Sequence, residues 1–146
     1  MMLVRNWMKR PVHSVKTKDS ALHARALLEK YRINQLPVLV DGELVGIVTD
    51  RDLRDVFPSV FEAAAAGSGE RHQWPDPEKV TVEAVMTGNV ATIAPSDHVV
   101  DAARLMRKER IGAVPVVEGG LVVGILTRSD LLDALVTLAA DAEPVR

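Results

Sequence analysis

The chain has 146 residues, 47% of them hydrophobic and only 3% aromatic, so Val, Leu, Ile, Ala and Met must fill its core. Its formal net charge of −2 comes from 18 basic and 20 acidic residues scattered along the sequence, which argues against nucleic-acid binding. The lack of cysteine excludes disulfides and thiolate metal sites, and the lack of a signal peptide or a long apolar stretch predicts a cytoplasmic protein without membrane insertion.

The first elements predicted along the chain form a β-α-β-β-α unit. A short strand over Val12–Val15 precedes a helix that Asp19 or Ser20 caps with a side-chain oxygen. Two apolar runs, Leu36–Val40 and Leu44–Thr49, then predict a hairpin, because Asp41-Gly42 between them is a strong turn signal. A second helix begins after Thr49. The apolar residues at helical spacing are Ala24, Leu27, Leu28 and Tyr31 in the first helix and Leu53, Val56 and Phe57 in the second.

Residues 58–79 are predicted to be a linker, since nothing in the second half of the chain aligns with them. The run Ala63–Ala66 can extend the preceding helix. Gly67-Ser68-Gly69 and the prolines Pro75 and Pro77 are typical of a mobile loop.

The second half of the chain repeats the first unit at an offset of 78 residues, without a gap from Val4 to Arg54. The offset places Met8 on Met86 and Asp19 on Asp97. The organisation predicted is a first unit over 1–57, the linker over 58–79, a second unit over 80–138 and a flexible tail over 139–146. The elements predicted for the second unit are a strand at Val90–Ile93, a helix capped by Asp97, a hairpin of Val114–Val117 and Leu121–Thr127 around Gly119-Gly120, and a last helix.

The sharpest chemical feature is a Thr-x-x-Asp element before the last helix of each unit, formed by Thr49 with Asp52 and by Thr127 with Asp130. A carboxylate can accept hydrogen bonds from both hydroxyls of a ribose, and a threonine hydroxyl beside a helix N-terminus suits a phosphate. The same spacing is that of a capping box, which needs no ligand. A glycine three residues before each threonine favours the ligand, as does Asp where a capping box prefers Glu. Both interpretations can hold together.

The residues next to these elements differ between the units, with Asp50-Arg51 in the first and Arg128-Ser129 in the second. Either arginine could reach a phosphate or could simply be solvated, and the difference predicts that two sites would bind unequally. Asp50, Asp52 and Asp55 do not predict a metal site, because the second unit keeps only the Asp52 equivalent. The histidines have no metal-ligating partners and no nucleophile has a base, so neither zinc nor catalysis is predicted. These histidines are His13, His23, His72 and His98.

Two stretches of each unit resemble the CBS domain, and their tandem occurrence resembles a CBS pair, or Bateman module. They are Leu36-Pro37-Val38 with Gly46-Ile47-Val48-Thr49-Asp50-Arg51-Asp52-Leu53, and Val114-Pro115-Val116 with Gly124-Ile125-Leu126-Thr127-Arg128-Ser129-Asp130-Leu131. The chain is also similar to the CBS part of acetoin-utilisation-type proteins, which usually carry a further ACT domain. The resemblance implies an α/β (α+β) fold of tandem βαββα repeats packed pseudo-symmetrically.

The resemblance also implies two clefts in which the Thr-x-x-Asp elements hold ribose and phosphate. In the family, backbone near the first and middle strands lies against the adenine. Carried over, the positions nominated for this wall are Ser14, Gln35 and Pro37 in the first unit and Thr92, Ala113 and Pro115 in the second. The two prolines also have a structural interpretation as first or edge residues of strands, where a missing N–H is tolerated.

Two hypotheses of function follow. The first is a regulatory sensor that binds AMP, ADP, ATP or a related adenosyl compound as a regulatory ligand and signals to an enzyme or transporter. The second is a ligand-independent structural dimerisation module. A homodimer is expected under both, because the apolar helix faces exceed what one small domain can hide. These faces comprise Leu53, Val56, Phe57, Val60 and Phe61 in one unit and Leu131, Leu132, Leu135 and Val136 in the other.

Overall fold

The structure, a computed structural model, describes residues 2–56, 76 and 78–142. It divides into two compact units. The first-repeat unit consists of residues 13–90, and the second-repeat unit joins residues 1–12 to residues 91–146. Small sheets and helices make up each unit, which confirms the α+β class. Phe57, Val60, Phe61 and nearly all of the predicted linker lie outside the described residues.

The described part of the first-repeat unit contains a three-stranded sheet in the order β1-β2-β3. Strand β1 (Val15–Lys16) runs parallel to β2 (Gln35–Val40), which forms an antiparallel hairpin with β3 (Glu43–Thr49). Asp41 and Gly42 join the hairpin with φ angles of 51° and 83°. Positive φ at both positions is what a two-residue hairpin turn requires, so the predicted turn is confirmed.

Three helices of this unit lie within the described residues. Helix α1 (Ala21–Tyr31) begins at Ser20, whose Oγ accepts a hydrogen bond from the His23 N–H at 3.0 Å. Helix α2 (Asp50–Arg54) follows β3 directly, and α3 (Val82–Val85) comes from the segment before the second repeat. The buried core combines residues from all of these elements. It comprises Val15, Ala21, Ala24, Leu28, Leu36, Val38, Val48, Leu53, Val56 and Val82.

The second-repeat unit also contains a hairpin with one helix before it and one helix after it. Helix α4 (Val99–Glu109) precedes the hairpin of β4 (Ala113–Glu118) and β5 (Leu121–Thr127), and α5 (Arg128–Ala142) follows it. The turn residues Gly119 and Gly120 again have positive φ angles, 60° and 81°. The buried core comprises Val4, Ile93, Ala102, Met106, Val114, Val116 and Leu126.

The segment at the start of each repeat packs into the unit that holds the rest of the other repeat. We call residues 2–12 the first leading segment and residues 78–90 the second leading segment. Val4 of the first leading segment is fully buried in the second-repeat core, and its equivalent, Val82, is fully buried in the first-repeat core. The sequence pattern did not predict this exchange.

Each leading segment also pairs with the last strand of the unit that it joins. Lys9 and Ile125 exchange two backbone hydrogen bonds, with N···O distances of 2.8 and 3.2 Å. Thr87 and Ile47 do the same at 2.8 and 2.9 Å. The leading segments therefore complete both the core and the sheet edge of the units that receive them.

Gly46 and Gly124 allow this close approach. A Cβ added at Gly46 would lie 2.5 Å from the Met86 Sδ and 2.9 Å from the Thr87 carbonyl oxygen. A Cβ at Gly124 would lie 2.5 Å from the Met8 Sδ. The glycine before each Thr-x-x-Asp element thus has a packing role that needs no ligand.

Several local predictions differ from the structure. The first strand is restricted to Val15–Lys16, and its counterpart is a single bridge from Ile93 to Val116, because only these residues lie beside the middle strand. Asp97 does not cap its helix, since His98 is the N-cap residue and Asp97 Oδ2 accepts from the Ala94 N–H at 2.8 Å. In the predicted tail, residues 139–142 are helical as part of α5.

Neither proline is the first residue of its strand, and Pro37 is not on an edge strand, whereas Pro115 lies in one strand of a two-stranded sheet, as the edge interpretation expects. Pro37 is the third residue of β2, the middle strand, and lies opposite Ile47; Pro115 is the third residue of β4 and lies opposite Ile125. Ile47 directs its N–H and carbonyl at Thr87 rather than at β2, so β3 loses no hydrogen bond to the missing Pro37 N–H. Both rings are fully buried.

Candidate functional site

In the first-repeat unit, Thr49 and Asp52 close a capping box at the start of α2. The Asp52 N–H donates to Thr49 Oγ1 at 3.2 Å, and the Thr49 N–H donates to Asp52 Oδ2 at 2.9 Å. The expectation that Asp argues against a capping box is therefore wrong, because the shorter carboxylate still reaches the N-cap N–H. Among the described residues no donor contacts Asp52 Oδ1, and Asp52 is half-buried, so this oxygen remains available to a ligand hydroxyl.

In the second-repeat unit, Thr127 and Asp130 occupy the same place with a fuller set of hydrogen bonds. Asp130 Oδ2 accepts from the Thr127 N–H at 2.8 Å and from the Thr127 hydroxyl at 3.0 Å. The Lys9 ammonium, on the first leading segment, donates to Asp130 Oδ1 and forms an ion pair with it. Both carboxylate oxygens are thus engaged, and the Asp130 residue is 3% exposed.

Sequence reasoning missed Lys9. The offset of 78 residues aligns it with Thr87, so it is absent from the features that both repeats share. Comparing the leading segments for differences, rather than for shared residues, would have drawn attention to it.

The predicted wall positions lie near these elements within each unit. Gln35 pairs across the hairpin with Thr49, and Ala113 pairs in the same way with Thr127. Ser14 comes directly before Val15, which pairs with Val38, so the parallel register places Ser14 level with Pro37. Gln35 and Ser14 are half-buried and Ala113 is buried.

Only one of the corresponding positions in the second-repeat unit, Thr92, is more exposed than its counterpart. Thr92 is exposed and comes directly before Ile93, whose N–H donates to the Pro115 carbonyl at 3.2 Å. Thr92 therefore corresponds in place to Ser14, but it is open to solvent.

The polar residues that flank the elements are all exposed. The side chains of Arg51 and Ser129 have no hydrogen bond or ion pair with another described residue. The Arg128 guanidinium lies against Gly112, where an added Cβ would be 3.3 Å from its Cζ. Asp50 forms an ion pair with Arg54 at 3.3 Å, one helical turn away. The part of the chain that the structure describes contains no group of three or more His, Asp or Glu side chains suited to a metal ion.

Helix α5 exposes an apolar stripe. Ala134 and Asp130 face the unit and are buried, whereas the residues of the stripe are each more than half exposed. The stripe consists of Leu132, Leu135, Val136 and Leu138. In the first repeat the positions equivalent to Leu135, Val136 and Leu138 fall outside the described residues.

Together, duplicated βαββα units with a Thr-x-x-Asp element after each hairpin define a class of small paired α+β modules. The family model for the CBS domain matches residues 4–59 and again residues 82–137. The chain belongs to the CBS domain family and carries two CBS motifs.

Proteins similar over nearly the whole chain support this assignment. A CBS domain-containing protein of Dictyostelium discoideum is 35% identical over 97% of this chain and 97% of its own length. A crystal structure of a Vibrio cholerae protein assigned to acetoin utilization is 28% identical, with a TM-score of 0.74, and covers 99% of both chains. The similarity to acetoin-utilisation-type CBS pairs is therefore confirmed.

Two similar solved structures contain adenosine compounds. The CBS domain pair of protein MJ0100, in complex with 5′-methylthioadenosine and S-adenosyl-L-methionine, is 31% identical with a TM-score of 0.74 and covers 94% of this chain and 98% of its own. The protein CBSX2 in complex with AMP is 28% identical with a TM-score of 0.74 and covers 95% of this chain and 99% of its own. CBS pairs with this fold thus bind adenosyl ligands.

Among the described residues, no helix combines the length and the apolar character needed to cross a membrane.

Proposed function

We propose that this chain is a regulatory module that binds an adenosine compound at its Thr-x-x-Asp elements, with AMP, ADP, ATP or a related adenosyl compound as the ligand. The observation that carries the proposal is Asp52, whose Oδ2 is held by the Thr49 N–H while its Oδ1 has no donor among the described residues. A carboxylate fixed at one oxygen and available at the other is suited to accept ribose hydroxyls.

The surroundings of Asp52 support a nucleoside rather than a bare anion. Gln35 pairs directly with Thr49, and Ser14 lies level with Pro37 on the neighbouring strand. Gln35 and Ser14 are both half-buried, so each offers a polar side chain on the strands beside the Thr-x-x-Asp element. Arg51 is the proposed phosphate partner in the first-repeat unit, and Arg128 and Ser129 take this role in the second-repeat unit. Thr127, Asp130, Thr92, Ala113 and Pro115 form the equivalent site there.

Binding would act by favouring one conformation of the chain over another, since a ligand shifts an equilibrium only through its differential affinity. The output would be a contact with a cytoplasmic enzyme or transporter, and the chain itself would carry out no catalysis.

Asp-to-Asn substitution tests the site. Titration calorimetry of Asp52→Asn with AMP should give a dissociation constant for the first-repeat site at least about tenfold higher than in the wild type, because a hydrogen bond to a charged acceptor is lost. The asparagine carbonyl can still accept from the Thr49 N–H, so α2 keeps its cap. Asp55→Asn removes an exposed carboxylate near the end of the same helix and should leave the affinity unchanged.

Two outcomes would contradict the proposal. Wild-type affinity in an Asp52→Asn/Asp130→Asn double variant would exclude these residues as the site. The absence of any heat or rise in melting temperature with AMP, ATP, 5′-methylthioadenosine and S-adenosyl-L-methionine would exclude the function, since a ligand of the folded state must stabilise it.

We also propose that the chain forms a homodimer through the apolar stripe of α5. The exposure of this stripe is the observation that favours the second candidate function, a structural dimerisation module. The stripe residues recur at helical spacing on one face, and a two-fold axis would place this face against its own copy. If dimerisation is the whole function, the oligomeric state will not depend on any nucleotide.

Light scattering of Leu135→Glu tests the dimer. The dissociation constant of the dimer should be at least about tenfold higher for the variant than for the wild type, because the glutamate places a charge in the apolar contact. Leu121→Glu, at a side chain of similar exposure on β5, is the matched control and should stay dimeric. A monomeric wild type at micromolar concentration would contradict the proposal.

A further inference from the structure

The two Thr-x-x-Asp elements differ in one contact that the sequence repeat conceals. Lys9 and Thr87 occupy equivalent positions on the two leading segments, and each exchanges two backbone hydrogen bonds with the last strand of its unit. From the same backbone position, the Lys9 ammonium pairs with Asp130, whereas Thr87 has no hydrogen bond to Asp52.

We infer that Lys9 occupies the carboxylate oxygen of Asp130 that a ribose would need, so that the second-repeat element admits an adenosyl ligand only when the Lys9–Asp130 ion pair opens. The inference rests on the proposed function. According to this inference, Lys9 determines the relative affinities of the two sites. An uncharged nucleoside should bind more tightly at the first-repeat element than at the second-repeat element.

The exposure of the two partners shows which of them can move. The Lys9 side chain is 56% exposed, whereas the Asp130 side chain is 4% exposed and is held by two donors of Thr127. A ligand therefore meets a fixed carboxylate covered by a flexible ammonium that can turn into water. The competition is between the ribose hydroxyls and Lys9 for Oδ1, while Oδ2 stays on Thr127.

The strength of the competition sets the expected effect. An ion pair with one exposed partner is a modest interaction, but a hydrogen bond to a charged group is stronger than a neutral one. Opening the pair should therefore weaken ligand binding about fivefold to tenfold relative to an element without the lysine. A ligand phosphate would attract the released ammonium and hide this difference, so the probe must be uncharged.

The test weakens each element in turn and exchanges the two residues. In the Asp52→Asn background, which weakens the first-repeat element, Lys9→Thr should lower the dissociation constant of the second-repeat element for 5′-methylthioadenosine about fivefold to tenfold, as measured by titration calorimetry fitted to two sites. In the Asp130→Asn background, Thr87→Lys should raise the dissociation constant of the first-repeat element for 5′-methylthioadenosine by a similar factor. Lys108→Thr removes an exposed lysine of α4 in the second-repeat unit and should change nothing.

The outcomes separate this inference from the proposed function. If the variants bind 5′-methylthioadenosine but Lys9→Thr and Thr87→Lys leave the dissociation constants unchanged, the role of Lys9 is wrong and the proposed function stands. If neither the wild type nor any variant binds an adenosyl compound, both are wrong. Circular dichroism and thermal unfolding identify a variant that fails to fold, in which case the other exchange decides.

Discussion

Replacing Val4 with aspartate is expected to destabilise the second-repeat unit by at least about 3 kcal/mol, because it leaves an unpaired charge among apolar side chains. Val4 is fully buried in this core although it lies at the start of the first repeat. Folded domains have total stabilities of only about 5–15 kcal/mol, so this substitution removes a large share of the stability of the unit. Urea denaturation measures the loss, and hydrogen exchange at the Val116 and Leu126 amides reports the unit concerned.

Val100→Asp is the matched control for Val4→Asp. Val100 belongs to the same unit, but it lies in the first turn of α4 with 53% exposure, where an added carboxylate is solvated. We expect a change within about 0.5 kcal/mol. If the two variants were equally stable, the first leading segment would not be part of the second-repeat core.

Gly46→Ala is expected to destabilise the first-repeat unit by about 2 kcal/mol, because a methyl group there overlaps the second leading segment. The Met86 side chain could rotate away, but the Thr87 carbonyl oxygen, 2.9 Å from the added Cβ, is held by its hydrogen bond to the Ile47 N–H. The strand and the segment must therefore separate. Thermal unfolding of the variant provides the measurement.

Substitutions at two other glycines serve as comparisons for Gly46→Ala. Gly124→Ala should have a smaller effect, about 1 kcal/mol, since the nearest backbone atom to the added Cβ is the Lys9 carbonyl oxygen at 3.3 Å. At Gly88 nothing lies within 4 Å of an added Cβ, so Gly88→Ala should leave stability unchanged or raise it by about 0.5 kcal/mol. A Gly46→Ala protein as stable as Gly88→Ala would contradict the close packing described for Met86 and Thr87.

The elements that could be predicted are those specified by neighbouring residues. Both hairpins were found because Asp41-Gly42 and Gly119-Gly120 are turn residues suited to positive φ angles, and both were observed with the expected strands. The Thr-x-x-Asp elements were also found, since their spacing is local. The cap of α4 was missed because Asp97 and His98 compete for one position, and Asp97 instead bonds the Ala94 N–H.

The exchange of leading segments could not be predicted, because it depends on contacts far apart along the chain. Val4 and Val82 are equivalent in the repeat, and either would fit either core by size and polarity. The residues next to Val4 and Val82 in the sequence do not indicate which core each valine enters. The packing role of Gly46 and Gly124 was missed for the same reason, since the methionines that require it belong to the other repeat's leading segment.

The candidate site shows the same division between local and distant information. The pairing of Asp52 with Thr49 was weighed from the sequence, whereas the pairing of Asp130 with Lys9 spans most of the chain. The Thr49–Asp52 pair is found by comparing the repeats because both repeats contain its equivalent, whereas Lys9 occurs in one repeat only. Unequal binding at the two elements is expected from Arg51 and Ser129, and the inference drawn from the Lys9–Asp130 ion pair gives a second reason to expect it.

The exchanged leading segments have a consequence for cleavage of the chain. A protease cut anywhere in 57–75 would give an amino-terminal fragment that retains the first hairpin but lacks Val82, and a carboxy-terminal fragment that retains the second hairpin but lacks Val4. Neither fragment contains a whole core, and each carries the valine that the other needs. We therefore expect the halves to be complementary pieces that fold less stably apart than together, with each core completed by a segment from the other piece.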